Sequence, residues 1–200
     1  MTRIGVFGGT FDPIHVGHLA VASDAVHELA LDTVLFVIAH QPWQKVGTRA
    51  ISDSALRLAM VTAATSDRDD LVASSIEIDR GGSSYTIDTI EQLSKEQPDT
   101  EFVLVVGSDV VADLHTWHRH DELRAMVSVG VVERPGDEGA QAPPGWVIEK
   151  IRAPLVDLSS SLLRARLAAG EPVDYLVPRE ALDIYKQWQD EQISTAEGSS

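Results

Sequence analysis

Apolar residues in this chain come in continuous runs separated by stretches of helical periodicity. Ile4-Gly5-Val6-Phe7, Thr33 to Ala39, Leu71 to Ile78, Glu101 to Val106 and Val127 to Glu133 read as strands. Runs that are apolar at successive positions belong to strands buried on both faces, the usual condition of a parallel sheet. Leu19 to Val26 reads as the body of a first helix. A second helix runs from a Ser52 cap through Ser66, with Leu56, Leu58, Met60 and Val61 as apolar positions. A third opens at Ser83 or Ser84 and runs through Gln97, with Pro98 beyond its end. Short helices are expected around Val110–Leu114 and Asp121–Met126, and a short strand within Trp146–Ile151. Gly136 to Gly145 is a surface loop. Ser159-Ser160-Ser161 opens a helix to Ala169 that Gly170 closes, and Pro178 starts a last helix to about Gln189. The alternation predicts the α/β class: a doubly wound parallel sheet, Rossmann-like, with a helical C-terminal end. No repeat or linker divides the chain, so residues 1–190 are read as one domain and 191–200 as a disordered tail.

Composition narrows the function classes. With 200 residues, 44% of them hydrophobic and 24% charged, the chain can bury one proper core. The net charge of −15, with 16 basic residues scattered along the chain, argues against a phosphate-tracking surface for nucleic acid. An anionic small molecule would need a local pocket of donors instead. No apolar run approaches the roughly 20 residues of a membrane span. Met1-Thr2-Arg3 runs straight into a strand without a signal-peptide pattern, and there is no cysteine. A cytoplasmic protein is expected, without nucleic-acid or membrane partners and with a homo-oligomer left open.

The chemistry is concentrated between Gly8 and His18, Gly-Gly-Thr-Phe-Asp-Pro-Ile-His-Val-Gly-His. Strand, glycine-bearing turn and helix start form the opening of a nucleotide-binding unit. Gly8 and Gly9 let a phosphate or ribose approach the backbone. His15 and His18, three apart, share a face of the first helical turn, where anions are favoured. In such sheets ligands bind at the carboxyl ends of the strands, which gathers this turn, the loop after the second strand, and Gly107-Ser108-Asp109.

Four further groups of residues suit the same site. Lys45, in Gln-Pro-Trp-Gln-Lys, offers a point charge for a polyphosphate. Ser84-Tyr85-Thr86-Ile87-Asp88-Thr89 opens a helix whose free N–H groups suit a carboxylate. Ser159, Ser160 and Arg164 place hydroxyls, N–H groups and a guanidinium fork where phosphate oxygens can be held. His115, Trp117, His118 and His120 form the last group. Three histidines bring zinc to mind, but His120 cannot share the face of His115 and His118, and no second cluster supports a metal. Trp117 offers a flat surface to an aromatic ring.

Gly8 to His18 resembles the signature of the His-x-Gly-His nucleotidylyltransferases, and its longer form is similar to the nicotinate mononucleotide adenylyltransferases in particular. Ser84–Thr89, Leu114–His120 and Leu158–Arg164 resemble that family's later segments in the expected order. Ile38-Ala39-His40 departs from the family's loop, which usually begins with Pro. The resemblance implies transfer of AMP from ATP to nicotinate mononucleotide, with Mg²⁺ accompanying ATP. It implies His15, His18 and Lys45 as catalytic residues. It implies Gly8, Gly9, Thr10, Phe11, His18, Gly107, Asp109, Ser159, Ser160 and Arg164 around ATP. Asp12, Lys45, Tyr85, Thr86, Trp117 and Arg134 would meet the mononucleotide. Another cytidylyl- or adenylyltransferase, and a nucleotide-binding regulatory module without turnover, are the competing readings.

Overall fold

The structure, a computed structural model, describes residues 1–41, 51–132, 142–154 and 156–197. The chain runs β1 (Thr2–Gly9), α1 (Val16–Glu28), β2 (Thr33–Ile38), α2 (Ser54–Ala64), β3 (Leu71–Ser74), α3 (Ile76–Arg80), α4 (Thr86–Glu96) and β4 (Thr100–Gly107). It continues through α5 (Ser108–Val111), a 3₁₀ turn (Leu114–Thr116), α6 (His120–Met126), β5 (Val127–Val132), β6 (Ile148–Ile151), α7 (Ser160–Ala168) and α8 (Arg179–Glu197).

Among the described residues all six strands are parallel, in the order β3-β2-β1-β4-β5-β6. The apolar runs are the strands, and both their faces are covered. On one face Phe36, Ile38, Val103 and Val105 meet Ala22, Ala25, Met60 and Val61 of α1 and α2. On the other, Ile4, Val6, Phe102 and Leu104 meet Ile87, Ile90, Leu114 and Leu123. Because β1 and β4 are neighbours while their connections leave in opposite directions, a crevice opens at their carboxyl ends.

Three expectations are corrected. The third strand stops at Ser74, and Ile76–Arg80 is helical. Its backbone closes locally, Asp79 N–H on Ser75 O at 2.8 Å and Gly81 N–H on Glu77 O at 3.0 Å, and Gly81 ends it at φ 69°. Asp53 caps α2 in place of Ser52, accepting from Ala55 N–H at 2.7 Å. The last helix does not end near Gln189 but continues through Glu197, into the span expected to be disordered. No glycine or proline interrupts residues 179–197, and Gln187 bonds Glu191 one turn on at 3.1 Å. Among the described residues no helix is long and apolar enough to cross a membrane.

Candidate active site

The turn after β1 is built around Phe11. Its φ is +48°, a left-handed value, and its ring is buried edge-on to Phe7 at 5.6 Å, Phe36 at 5.4 Å and His18 at 5.1 Å. Gly9 is required here, because a Cβ on it would stand 2.6 Å from the Phe11 ring. Asp12, 1% exposed, joins Pro13 through a cis peptide bond. The turn delivers His15 to the N-cap of α1 and His18 to its first turn.

The two imidazoles stack, with centroids 3.6 Å apart and planes 24° from parallel. The His15 backbone N–H donates to His18 Nδ1 at 3.2 Å. Nδ1 is therefore an acceptor, and the ring proton of neutral His18 sits on Nε2. His15 is 6% exposed and its Nδ1 has no partner among the described residues. Burial pushes its pKa down to about 4, so it is neutral at pH 7.

Both rings line a cavity of about 500 Å³ at the carboxyl ends of β1 and β4. Gly8, Gly9, Thr10, Gly107 and Asp109 form one part of its wall, with Ser159 and Ser160 from the start of α7. Thr86 and Trp117 form another part, together with Ser84, Glu77 and Thr89. The structure thus gathers most of the residues expected from the sequence. Phe11, Asp12, Tyr85 and Arg164 stand behind the wall rather than in it. Arg164 donates to Asp12 O at 2.5 Å and to Ser161 Oγ at 3.0 Å, and Ser160 Oγ donates to Pro13 O at 3.0 Å. These side chains therefore dock α7 onto the motif turn. Lys45 and Arg134 lie outside the described residues.

At the Trp117 side, α4 opens at Tyr85 without a side-chain cap. The expected cap Ser84 is turned away: its Oγ accepts from Gln41 N–H at 3.3 Å. Tyr85 lies against His118 with ring centroids 4.4 Å apart and planes tilted by 31°, His115 Nδ1 lies 2.9 Å from Ala112 O, and His120 Nδ1 lies 3.6 Å from Asp121. The three histidines go to three different partners. Arg119 bonds Glu91 of α4 at 2.5 Å and Glu122 of α6 at 2.6 Å, and both carboxyls are held below their usual range by it. That clamp sets the Trp117 segment against the start of α4.

Sequence reasoning missed Glu77, and it gave Thr89 only as the end of the Ser84–Thr89 segment. The Thr89 hydroxyl donates to the buried Glu77 carboxylate at 2.8 Å and accepts from Arg80 at 3.0 Å. No sequence signal marked Glu77, because it was placed on a strand that ends at Ser74.

Residues 6–166 match the cytidylyltransferase-like family. A "probable nicotinate-nucleotide adenylyltransferase" of Exiguobacterium sibiricum is 39% identical over 186 residues, 93% of this chain and 97% of the relative. One of the same name from Streptomyces coelicolor is 42% identical over 173 residues, covering 86% and 91%. In fold the chain is similar to the nicotinic acid mononucleotide adenylyltransferase of Plasmodium falciparum, solved with NaAD. The TM-score is 0.75 at 18% identity, over 94% of this chain and 96% of that one.

Proposed function

Because the chain belongs to the cytidylyltransferase-like family and, within it, to the nicotinate-nucleotide adenylyltransferases, we propose that it transfers AMP from ATP to nicotinate mononucleotide, giving deamido-NAD and pyrophosphate. The observation that carries this reading is the stacked His15–His18 pair beside Gly8 and Gly9, at the crevice where the sheet changes direction. A phosphate oxygen of the mononucleotide attacks the α-phosphorus of ATP in line. The bond from that phosphorus to the bridging oxygen breaks, and pyrophosphate leaves with the electron pair. A phosphate dianion is already a nucleophile, so no general base is needed. Catalysis is positioning and charge stabilisation.

In this reading His18 Nε2–H donates to the phosphate oxygens that gain charge. His15, kept neutral by burial, donates through a ring N–H. Lys45, Ser159 and Ser160 hold the leaving pyrophosphate, with Arg164 behind them fixing α7 to the motif turn, and Gly107 and Asp109 hold the nucleoside of ATP. The uncapped start of α4 at Tyr85 and Thr86 meets the nicotinate carboxylate. Trp117 stacks on the pyridine ring, Arg134 serves the mononucleotide, and Asp12 acts on it only through the turn it shapes.

Mg²⁺ enters with ATP. Among the described residues no three metal-ligating side chains cluster, and Asp109 is the exposed carboxylate on the cavity wall. A hard cation held mainly by phosphate oxygens and water would suit so sparse a donor set.

Pyrophosphate release, measured with ATP or CTP against a panel of mononucleotides, tests the reading. Release with ATP and nicotinate mononucleotide is expected. Release only with another donor or acceptor supports a different nucleotidylyltransferase, and binding without release a regulatory module.

A further inference from the structure

Helix α2 carries a charge in its apolar stripe. Leu56, Met60, Val61 and Ala64 are buried on it, and Arg57 is buried among them at 1% exposure. Its Nε donates to Ser52 O at 2.9 Å and a terminal nitrogen donates to Thr10 O at 2.9 Å. Asp12 and Asp53 supply the neighbouring negative charge. A buried cation is costly unless it is paired and hydrogen-bonded, so this one is tied to what it holds.

What it holds is the turn between β1 and α1. Phe11 adopts a left-handed backbone at φ +48°, uncommon for a bulky residue and kept only where the surroundings over-determine it. Three carbonyls of the turn are taken by side chains from other elements. Arg57 takes Thr10 O, Arg164 takes Asp12 O, and Ser160 takes Pro13 O. Arg164 and Ser160 are half-buried, whereas Arg57 lies wholly in the interior. One residue on, the Phe11 ring meets His18 edge-on at 5.1 Å and 82°.

We propose that Arg57 is a positioning residue for adenylyl transfer: its guanidinium fixes the Thr10 carbonyl, and through Phe11 sets the His18 ring at the phosphate site. The proposal rests on the reaction assigned above. A guanidinium spans two carbonyls as a fork, whereas a lysine in its place keeps the charge toward Asp12 but is a single point donor. The charge and the fork are therefore separable.

Arg57→Lys tests it. The variant is expected to fold, with kcat lowered about 10- to 100-fold, the size of effect a roughly 1 Å misplacement produces. KM for ATP and for the mononucleotide should stay within about threefold, the split expected of a geometric effect on the reacting groups. Side-chain nitrogen NMR of the histidines provides a readout that needs no turnover. In the wild type His18 should show one fixed tautomer with the proton on Nε2, and in the variant an averaged one. Wild-type kcat with unchanged His18 resonances overturns the proposal. A lowered Tm with unchanged kcat well below that Tm also overturns it, because that is a purely structural role. If the wild type itself releases no pyrophosphate, the assigned reaction fails, while the His18 resonances still decide the role of Arg57. Should Arg57→Lys not fold, Arg57→Gln, a neutral variant that keeps one donor, is measured in the same way with the same two outcomes.

Discussion

His15 and His18 stack on one another at the same cavity wall, yet their surroundings differ. His18 has its Nδ1 occupied by the His15 backbone and lines the cavity through the rest of its ring. Loss of one preorganised donor to transition-state charge costs about 10²- to 10³-fold in rate. His18→Ala should therefore lower kcat by that amount and leave KM for ATP within about threefold. A fall of less than about threefold at saturating substrate contradicts the role. Burial makes His15 sensitive to pH. Burial lowers its pKa from 6.5 to about 4, so between those values the unfolded chain binds a proton that the folded one does not. Its contribution to stability is complete above pH 6.5 and is lost as pH falls toward 4. His15→Gln should flatten the fall in Tm between pH 7 and pH 4.5, and equal falls in both proteins would show that His15 is not held neutral. The pair itself was legible in the sequence, because a helix start beside two glycines gives two imidazoles an anion to face. Phe11 was legible only as a member of the turn, since nothing local says that its ring goes under the backbone. Arg57 was overlooked although a signal existed: it shares the helical stripe of Leu56, Met60 and Val61.

At the scale of elements, the Trp117 side of the cavity depends on how the segment after β4 is held against α4. Arg119 joins Glu91 and Glu122 across that junction, and Trp117 reaches the cavity wall with its indole N–H buried and without a partner among the described residues. An aromatic stacking contact contributes about 0.5–1.5 kcal/mol beyond area burial. Trp117→Ala should therefore raise KM about 2- to 10-fold for nicotinate and nicotinamide mononucleotides alike, because the stack does not sense the ring substituent. Unequal losses, measured by steady-state kinetics of both, would place Trp117 at the substituent instead. The helix starts were legible to within a few residues from their Ser, Thr and Asp positions. Ser84 misled because its hydroxyl serves Gln41 across the chain, a long-range contact that outweighs local capping. Ile76–Arg80 misled because the strand-like Ser74-to-Ile78 pattern closes on itself through Ser75 and Asp79.

At the scale of the molecule, the sheet was the most legible feature. Runs such as Thr33 to Ile38 and Glu101 to Val106 have no polar face to present, so they had to lie in a covered parallel sheet, and the crevice followed from that. The length of α8 was not legible, because its polar end gives no sign of packing, whereas Ile184, Tyr185 and Trp188 nearer its start lie against the core. The fold delivers the two histidines and the uncapped start of α4 to one cavity, and the central claim is that this cavity joins AMP to a mononucleotide bearing a carboxylate. A hydrogen bond to a charged group contributes about 1.5–3 kcal/mol, which predicts at least about a tenfold preference for nicotinate over nicotinamide mononucleotide. The most direct measurement is a competition: limiting ATP, Mg²⁺ and equal concentrations of the two mononucleotides, with both dinucleotides and pyrophosphate quantified. The account predicts deamido-NAD over NAD by at least about tenfold, with one pyrophosphate released per dinucleotide. Equal amounts of the two products, or no dinucleotide at all, would contradict it.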